Sequence, residues 1–230
     1  MQSNLFKVII VAGGVGKRMG KDVPKQFLPI NNHPILIHTL KKFLPIFSPE
    51  HIVLCIKNEQ VPKLYQILSE FQIQGIQITN GGEHRTDSVR NGLQYIHQIC
   101  PNYEGFVLIH DAVRPFVSTS FLQEFTNTLQ EKKALVTVCP IKNSIRKKEG
   151  DFSYAVNRED YWEVQTPQGF LFSEIYEAYA HTNQLFSDDA SLYENYFKKP
   201  VSIVEYIPEN IKITTVIDLI LADYLAKNGY

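Results

Sequence analysis

Cysteine is scarce in this sequence, and long apolar runs are missing. Cys55, Cys100 and Cys139 are the three cysteines among 230 residues, and they form no C-x-x-C pair. An odd number of widely spaced cysteines argues against a disulfide framework. We therefore expect the three cysteines to be reduced, to pack as small apolar residues and to belong to a cytoplasmic protein. The first apolar run, residues 8–12, is too short for a signal peptide or a membrane span. The sequence therefore predicts a protein without a membrane partner.

The sequence also lacks an excess of charge and the familiar signatures of hydrolases. Lysine and arginine number 23 against 24 aspartates and glutamates, so no overall basic field would attract nucleic acid. The seven histidines form no H-E-x-x-H cluster and no G-x-S-x-G segment is present, which argues against a catalytic zinc and a serine hydrolase. With 44% hydrophobic residues, the chain can bury the core of one domain spanning residues 1–230.

Short apolar segments alternate along the chain with longer amphipathic ones. Strands are predicted at residues 8–12, 51–56, 75–79, 106–110, 134–138 and 201–206. Helical spacing of apolar residues fills the gaps, with Pro34 in the first turn of one helix and Thr86 or Asp87 as the cap of another. Two later helices are predicted at residues 172–181 and 217–227. This alternation predicts an α/β fold, a Rossmann-like and mostly parallel sheet with helices on both faces.

The alternation stops after Pro140. Residues 141–162 contain many charges and no apolar stripe wide enough to pack a helix on the sheet. We predict a hairpin-like arm that projects from the domain and turns at Glu149-Gly150-Asp151. From the residues alone, an ordinary charged surface loop is the favoured alternative.

A glycine-rich run follows the first predicted strand. Ala12-Gly13-Gly14-Val15-Gly16-Lys17-Arg18-Met19-Gly20, followed by Pro24-Lys25-Gln26-Phe27, combines backbone amides with three cations, as a polyphosphate site requires. The spacing excludes a Walker A loop, since Val11 stands where that loop needs glycine and Arg18 where it needs serine or threonine. Met19 likewise stands where a dinucleotide fingerprint needs glycine. Two interpretations of this run therefore remain equally open, a phosphate-binding loop and a plain glycine-rich turn.

Polar and glycine-rich segments also follow two other predicted strands. Gly81-Gly82 would let a base or ribose approach the backbone, and Asp87 and Ser88 could bind that ligand, cap the next helix or do both. Asp111 is a candidate ligand for Mg²⁺ or a substrate hydroxyl, with a turn residue as the alternative. Arg114 could face an anion or solvent. Because the carboxyl ends of parallel strands share one edge of a sheet, we expect these segments to converge.

Two later segments have alternatives of their own. Lys212 lies between apolar neighbours, as either a ligand-facing cation or a lysine that extends along an apolar edge. Asp188-Asp189 could be a metal pair, but adjacent carboxylates at a helix start more often stabilise its amino end, and we favour this interpretation. Residues 156–168 are largely polar and show little periodicity.

Six segments, in this order, resemble the 2-C-methyl-D-erythritol 4-phosphate cytidylyltransferases over nearly the whole chain. They are Ala12-Gly13-Gly14-x-Gly16-x-Arg18-Met19-Gly20, Pro24-Lys25-Gln26, Gly81-Gly82-x-x-Arg85-x-Asp87-Ser88-Val89, His110-Asp111-Ala112-Val113-Arg114-Pro115, Gln165-Thr166-Pro167-Gln168 and Asn210-Ile211-Lys212-Ile213-Thr214. The ribitol-5-phosphate cytidylyltransferases share the first, second and fourth. The methylerythritol branch is favoured by Asp87-Ser88-Val89, Asn157-Arg158 with Trp162, and Asp189-Ala190-Ser191. Ser144 departs from the threonine that many family members have.

The resemblance implies a reaction and a set of site residues. A phosphate oxygen of methylerythritol phosphate would attack the α-phosphorus of CTP and release pyrophosphate, with Mg²⁺ bridging phosphate oxygens. Arg18 and Lys25 would be catalytic by stabilising the transition state. CTP would be bound by Ala12, Gly13, Gly14, Gly16, Gly82, Asp87, Ser88 and Ala112. The polyol phosphate would be bound by Asp111, Arg114, Ser144, Arg158, Thr166 and Lys212.

The resemblance also implies a homodimer that forms through residues 141–162, so that Ser144 and Arg158 serve the neighbouring subunit's site. This replaces the surface-loop interpretation of that segment. Two other functions stay open, a ribitol-5-phosphate cytidylyltransferase and a nucleotide-binding module without turnover. The presence of Arg18, Lys25 and Lys212 together argues against the module, because binding alone does not need charges matched to a transition state.

Overall fold

A computed structural model describes residues 3–14, 23–182 and 184–230 of the chain. The strands in these residues are β1 (Phe6–Val11), β2 (Pro29–Ile30), β3 (His33–Pro34), β4 (Ile52–Ile56), β5 (Gln77–Asn80), β6 (Phe106–Asp111), β7 (Ala134–Pro140), β8 (Arg146–Glu149), β9 (Phe152–Ala155), β10 (Trp162–Leu171) and β11 (Ser202–Glu205). The α-helices are α1 (Ile35–Phe43), α2 (Val61–Glu70), α3 (Arg85–Ile99), α4 (Thr119–Lys132), α5 (Phe172–Ala180), α6 (Asp189–Phe197) and α7 (Val216–Lys227). None of the described helices has the length and apolarity that crossing a membrane requires.

A seven-stranded sheet forms the centre of the molecule, in the order β11-β7-β10-β6-β1-β4-β5. β1 lies between β4 and β6 and runs parallel to both, with Val8 opposite Ile52 and Leu108. β10 runs antiparallel to β6 and β7, and the other neighbouring pairs of the sheet are parallel. The predicted, mostly parallel α/β sheet is therefore confirmed.

Helices cover both faces of the sheet because alternate residues of each strand point to opposite sides. Val8 and Ile10 of β1 belong to a core that includes α1, α2 and α4, whereas Ile9 belongs to a core that includes α3, α5 and α6. β4 and β6 are buried along their whole length, as expected for parallel strands covered on both faces. This packing fixes the carboxyl ends of β1, β4, β5 and β6 beside one another.

β10 is a strand that the sequence pattern does not predict. Its middle carries Gln165, Thr166 and Gln168, which are polar and buried. Hydrogen bonds satisfy them: Gln165 Nε2 donates to Ile207 O, and Gln168 Oε1 accepts from Ala190 N. Because such bonds offset the cost of burying polar groups, a strand can lie in the core without an alternating apolar pattern.

The start of α3 differs by a few residues from the sequence prediction. His84 is the N-cap and Arg85 is the first helical residue, so neither Thr86 nor Asp87 is the cap. Asp87 occupies the third helical position, and its Oδ2 accepts a hydrogen bond from His84 N at 3.1 Å. This is the geometry of a capping box, which explains why an acidic residue three positions inside the helix resembles a cap in sequence.

The segment after β7 forms the predicted hairpin. β8 and β9 pair antiparallel as a separate two-stranded sheet, and Gly150 at the turn has a φ of 61°. All residues of both strands are exposed, including Phe152 at 75% and Tyr154 at 56%. At the base, Trp162 already pairs with Pro140 in the main sheet, so the hairpin arm ends one residue earlier than predicted. That the whole chain counts as one domain stays a prediction.

Candidate active site

A cleft lies at the carboxyl ends of β1, β5 and β6. It is the edge at which ligands bind in open α/β sheets. The described residues that line it are Val11, Ala12, Gly13, Gly14, Lys25, Gln26, Gly82, Glu83, His84, Arg85, Ser88, Asp111, Val113 and Lys212. Eight residues that the sequence assigns to a site are therefore brought together here: Ala12, Gly13, Gly14, Lys25, Gly82, Ser88, Asp111 and Lys212.

The first part of the glycine run is held in place by the sheet and by a buried glutamine. Ala12 N donates to Cys55 O on β4 at 2.8 Å, and Ala12 O accepts from Gln26 Nε2 at 2.7 Å. The same Gln26 nitrogen donates to Gln60 Oε1. Gln26 thus ties the loop to the short helix that carries Lys25, an anchoring role that the sequence did not assign. Gly16 and Arg18 lie outside the described residues, and their roles stay predictions.

The second glycine segment packs directly against the first. A Cβ on Gly13 would lie 2.9 Å from Ser88 Oγ and 3.6 Å from Gly81 Cα. Ser88 is buried, and its Oγ accepts from Gly82 N at 3.0 Å and donates to His84 O. These contacts require small residues where the two loops meet, and they form a narrow wall of backbone along the cleft.

Asp87 lies beside the cleft rather than on its described lining. Its Oδ1 pairs with Arg90 Nη1 at 2.9 Å, and its Oδ2 accepts from His84 N. Both oxygens therefore already have protein partners, and Oδ2 takes part in the capping box at the start of α3. Ligand binding by Asp87 stays a prediction.

Gly82→Ala should distort this wall. Its Cβ would lie 2.2 Å from Asp87 Cβ and 3.0 Å from the Asp87 carbonyl carbon, so the loop must shift. We expect the free energy of unfolding to fall by roughly 1–3 kcal/mol, and KM for a nucleotide bound here to rise about tenfold. Urea unfolding and steady-state kinetics measure both. Gly14→Ala is the control for stability because its nearest contact, Lys25 Cε, is at 3.5 Å. Equal stability of the two variants would contradict the expectation.

Asp111, the last residue of β6, is surrounded by three cations. Its Oδ1 accepts from Arg85 Nε at 2.9 Å, and its Oδ2 lies 2.8 Å from Lys212 Nζ and 3.7 Å from Arg114 Nε. Burial alone would raise the pKa of Asp111, but the charges of Arg85, Lys212 and Arg114 outweigh burial and hold that pKa far below its ordinary value. The three cations therefore favour the ionised form of Asp111, and Lys212 is among the residues that line the cleft.

Arg85 connects Asp111 to a second, fully buried carboxylate. Its Nη1 and Nη2 donate to the two oxygens of Asp189 at 2.9 and 2.7 Å, and Tyr179 Oη donates to Asp189 Oδ1 at 2.6 Å. The neighbouring Asp188 caps α6 by accepting from Ser191 N, which confirms the capping interpretation for that residue. Arg85 had no predicted role, although it lies within one of the six motifs.

Three predicted site residues lie outside the lining of the cleft and contact residues next to it. They are Thr166, Arg114 and Ala112. Thr166 Oγ1 accepts from Asp111 N at 3.1 Å, and so helps to fix the backbone of Asp111. Arg114 donates from Nη1 to Asn210 O at 2.8 Å, while its buried Nε has no hydrogen-bond partner among the described residues. Ala112 is fully buried, and its carbonyl accepts from Thr39 Oγ1. Direct ligand contacts by these residues stay predictions.

His110 belongs to the strand end, as expected from the sequence. Its Nε2 lies 3.0 Å from Arg114 O, and its Nδ1 lies 3.0 Å from Thr166 Oγ1, an arrangement that suits a neutral ring with the proton on Nε2. Burial lowers the pKa of His110 from 6.5 to about 4, although the bond to the Arg114 carbonyl opposes the shift.

The stability of the fold should therefore depend on pH through His110. Between pH 6.5 and about 4 the unfolded chain binds a proton that the folded ring does not, so the free energy of unfolding falls as pH is lowered. The full contribution is about 3 kcal/mol. Urea unfolding at a series of pH values should show a smaller slope for His110→Gln than for wild type. The exposed-site control His181→Gln should keep the wild-type slope, and an unchanged slope in His110→Gln would refute the assignment.

Ser144 and Arg158 lie on the arm, and neither lines the cleft of its own chain. Both are exposed, and Arg158 Nη1 donates to Lys142 O at 2.7 Å. A separate groove at the base of the arm includes Arg158, Tyr161 and Trp162. The structure of one chain therefore separates these two predicted substrate residues from the other site residues.

The described residues fit a Mg²⁺ that is bound mainly by phosphates. They contain no cluster of three or more histidine, cysteine, aspartate or glutamate side chains that could hold a metal. Asp111 and Glu83 are the carboxylates among the lining residues, and both oxygens of Asp111 already contact cations. Since Mg²⁺ is commonly bound by one or two carboxylates together with substrate phosphates, this donor set suits an ion that accompanies a nucleotide.

Comparison with known proteins places the chain and its fold in one family. The family model of IspD, 2-C-methyl-D-erythritol 4-phosphate cytidylyltransferase, matches residues 6–228. Proteins of that name from Geobacillus kaustophilus and Bacillus mycoides are 39% and 37% identical to this chain over 95% of its length, and the alignments cover 95% and 96% of theirs. The Anaerococcus prevotii 4-diphosphocytidyl-2C-methyl-D-erythritol synthase superposes with a TM-score of 0.83 at 27% identity, covering 98% of this chain and 97% of the other. For the Thermus thermophilus 2-C-methyl-D-erythritol 4-phosphate cytidylyltransferase the TM-score is 0.78 at 30% identity, with coverage of 96% and 98%. With this agreement between sequence and structure, the chain belongs to the 2-C-methyl-D-erythritol 4-phosphate cytidylyltransferase family.

Proposed function

We propose that the protein transfers the cytidylyl group of CTP to 2-C-methyl-D-erythritol 4-phosphate in this cleft, a step of isoprenoid precursor synthesis. The residues described above would have different roles in binding and catalysis. The observation that carries the proposal is the meeting of the glycine loops with Asp111, Lys25 and Lys212 in one cleft. In the reaction, a phosphate oxygen of the polyol phosphate forms a bond to the α-phosphorus of CTP. The bond from that phosphorus to the bridging oxygen breaks, and pyrophosphate leaves.

The nucleotide lies, in this proposal, along the two glycine loops. The amides of Gly13 and Gly14 face the triphosphate, since backbone N–H groups bind phosphate without the bulk of a side chain. Gly82 and Ser88 form the wall against which the base and ribose pack. Lys25 lines the cleft beside Gly14, and so it can stabilise the charge that accumulates on the departing pyrophosphate.

The polyol phosphate is expected on the Asp111 side of the cleft. Asp111 can accept hydrogen bonds from polyol hydroxyls, because it stays ionised, and Lys212 can pair with the phosphate. Arg114 and Thr166 contact Asp111 or its backbone, so they support this half of the site. No protein nucleophile is needed, and catalysis consists of positioning and charge stabilisation.

We propose that Mg²⁺ accompanies CTP and would bind its phosphate oxygens. When bound, it neutralises part of the charge on the triphosphate. Among the described lining residues, Asp111 and Glu83 are the carboxylates that could share in binding it. We place the enzyme in the cytoplasm, where CTP is available.

A homodimer is proposed because two predicted substrate residues lie on the arm. Ser144 and Arg158 are remote from the lining of their own cleft and could complete that of a second copy. We expect a dimer at micromolar concentration by analytical ultracentrifugation, since exposed aromatic residues such as Phe152 favour burial. The double variant Phe152→Asp, Tyr154→Asp should be monomeric with a raised KM for the polyol phosphate, and Tyr65→Asp, at another exposed aromatic, should not. A monomeric wild-type protein would rule out the shared site.

The fate of the CTP phosphates tests the reaction itself. With CTP labelled at its α-phosphorus, we expect the label in the organic product and unlabelled pyrophosphate in solution. The release of pyrophosphate should require the polyol phosphate. Label that remains in free CMP, or pyrophosphate release without the acceptor, would show hydrolysis instead of transfer.

A further inference from the structure

We propose that Asp189 is a positioning residue for the polyol phosphate half of the site, and that it acts through Arg85 on Asp111. The inference rests on the proposed function, because it concerns how Asp111 is presented to the acceptor substrate. It assigns a new role to Asp189 at the buried start of α6, which the sequence analysis considered as a metal ligand or as a carboxylate that stabilises the helix start.

Arg85 contacts two carboxylates, Asp189 in the core and Asp111 at the cleft. Asp189 is 0% exposed, the Arg85 side chain is 21% exposed, and the Asp111 side chain is 7% exposed. Asp189 contacts both terminal nitrogens of the guanidinium, whereas Asp111 contacts Nε. The planar guanidinium can bind one carboxylate with its terminal nitrogens and offer Nε to another, and an ammonium group cannot.

Asp189 is itself rigidly held. Tyr179 Oη on α5 donates to its Oδ1, and the next residue, Ala190, donates its N–H to Gln168 Oε1 on β10. Its position is therefore fixed by two elements of the core. A carboxylate fixed in this way sets the plane of Arg85, and Arg85 in turn sets which oxygen of Asp111 stays directed at Lys212.

Without the Asp189 charge, Asp111 is the carboxylate partner that Arg85 retains among the described residues. Its terminal nitrogens can then turn toward Asp111 and compete with Lys212 for the oxygen that Lys212 contacts. The consequence should appear in the binding of the acceptor, because Asp111 and Lys212 are displaced together. The glycine loops on the nucleotide side keep their own anchors, Gln26 and Ser88.

The test is the kinetics of Asp189→Asn in two backgrounds. In the otherwise wild-type enzyme we expect KM for the polyol phosphate to rise about tenfold or more and KM for CTP to change by less than about threefold. Combined with Asp111→Asn, the same substitution should change KM for the polyol phosphate by less than about twofold, because the group it acts on is gone. An equal factor in both backgrounds, or an equal rise in both KM values, overturns the inference.

Matched variants separate positioning from folding. Asp188→Asn removes the same charge from the adjacent residue, keeps an acceptor for Ser191 N and should leave both KM values unchanged. If Asp189→Asn does not fold, Arg85→Lys is the second test, since it keeps the charge but loses the fork. It should raise KM for the polyol phosphate selectively, and an unchanged value overturns the inference. A wild-type enzyme without turnover would remove the proposed function and this inference together, whereas an active wild type with unselective variants removes the inference alone.

Discussion

Lys25→Ala should lower kcat for pyrophosphate release by about a hundredfold or more, which corresponds to roughly 3 kcal/mol of lost transition-state stabilisation. Lys25 begins the short helix Lys25–Phe27, and the next residue, Gln26, is buried and bonded to Ala12 O. The Lys25 ammonium donates to Ile213 O at 3.3 Å, next to Lys212. It is thus a cation held on a fixed element between the glycine loop and the Lys212 segment, where charge develops in the proposed transition state.

The matched control for this variant is Lys63→Ala. Lys63 is exposed on α2 and donates to Gln66 Oε1, so its loss removes the same charge at another surface and should leave kcat unchanged. Lys25→Arg should recover part of the lost rate because it keeps the charge. A kcat for Lys25→Ala within about threefold of wild type would contradict the catalytic role. The same loss is expected for Arg18→Ala, on the strength of the sequence motif.

Asp111→Asn should have the second largest effect, on both stability and turnover. The substitution removes the charge that Lys212 and Arg114 share, and among the described residues it leaves Asp189 as the carboxylate partner of Arg85. Because one partner of a buried charge cluster is lost, we expect the free energy of unfolding to fall by roughly 3–5 kcal/mol. Misplaced cations and a lost acceptor for substrate hydroxyls should lower kcat/KM for the polyol phosphate by about a hundredfold.

Asp223→Asn provides the comparison for Asp111→Asn. Asp223 pairs with Lys227 on the exposed side of α7, and such a pair contributes about 0–1 kcal/mol. Urea unfolding and initial rates should therefore be close to wild type. Equal losses of stability in the Asp111 and Asp223 variants would show that the Asp111 cluster is not the buried charge centre described above.

Local patterns were sufficient to predict the elements that form the sheet edge of the cleft. β1 and β6 are mostly apolar because both of their faces are buried, and glycine or polar residues lie at or just after their carboxyl ends. Alternation with amphipathic helices then implies parallel strands, so the convergence of Gly13, Gly82 and Asp111 followed from topology. The Lys212 position required the family resemblance to choose between its two interpretations.

Buried polar interactions were what the sequence could not predict. β10 contains Gln165, Thr166 and Gln168 in the core, and their hydrogen-bond partners are distant in sequence. The pairing of Arg85 with Asp189 spans 104 positions, and no local periodicity encodes it. The two adjacent aspartates have the same local context, yet Asp188 caps a helix while Asp189 binds Arg85. Tertiary placement alone separates these two roles.

The most direct measurement of the central claim is the initial rate of pyrophosphate release with CTP, Mg²⁺ and each of two acceptors. With 2-C-methyl-D-erythritol 4-phosphate we predict saturable turnover that is lost in Lys25→Ala, and with ribitol 5-phosphate we predict no comparable rate. Preference for ribitol 5-phosphate would contradict the assigned acceptor. Binding of CTP without turnover on either polyol phosphate would contradict the account of this cleft as a cytidylyltransferase site.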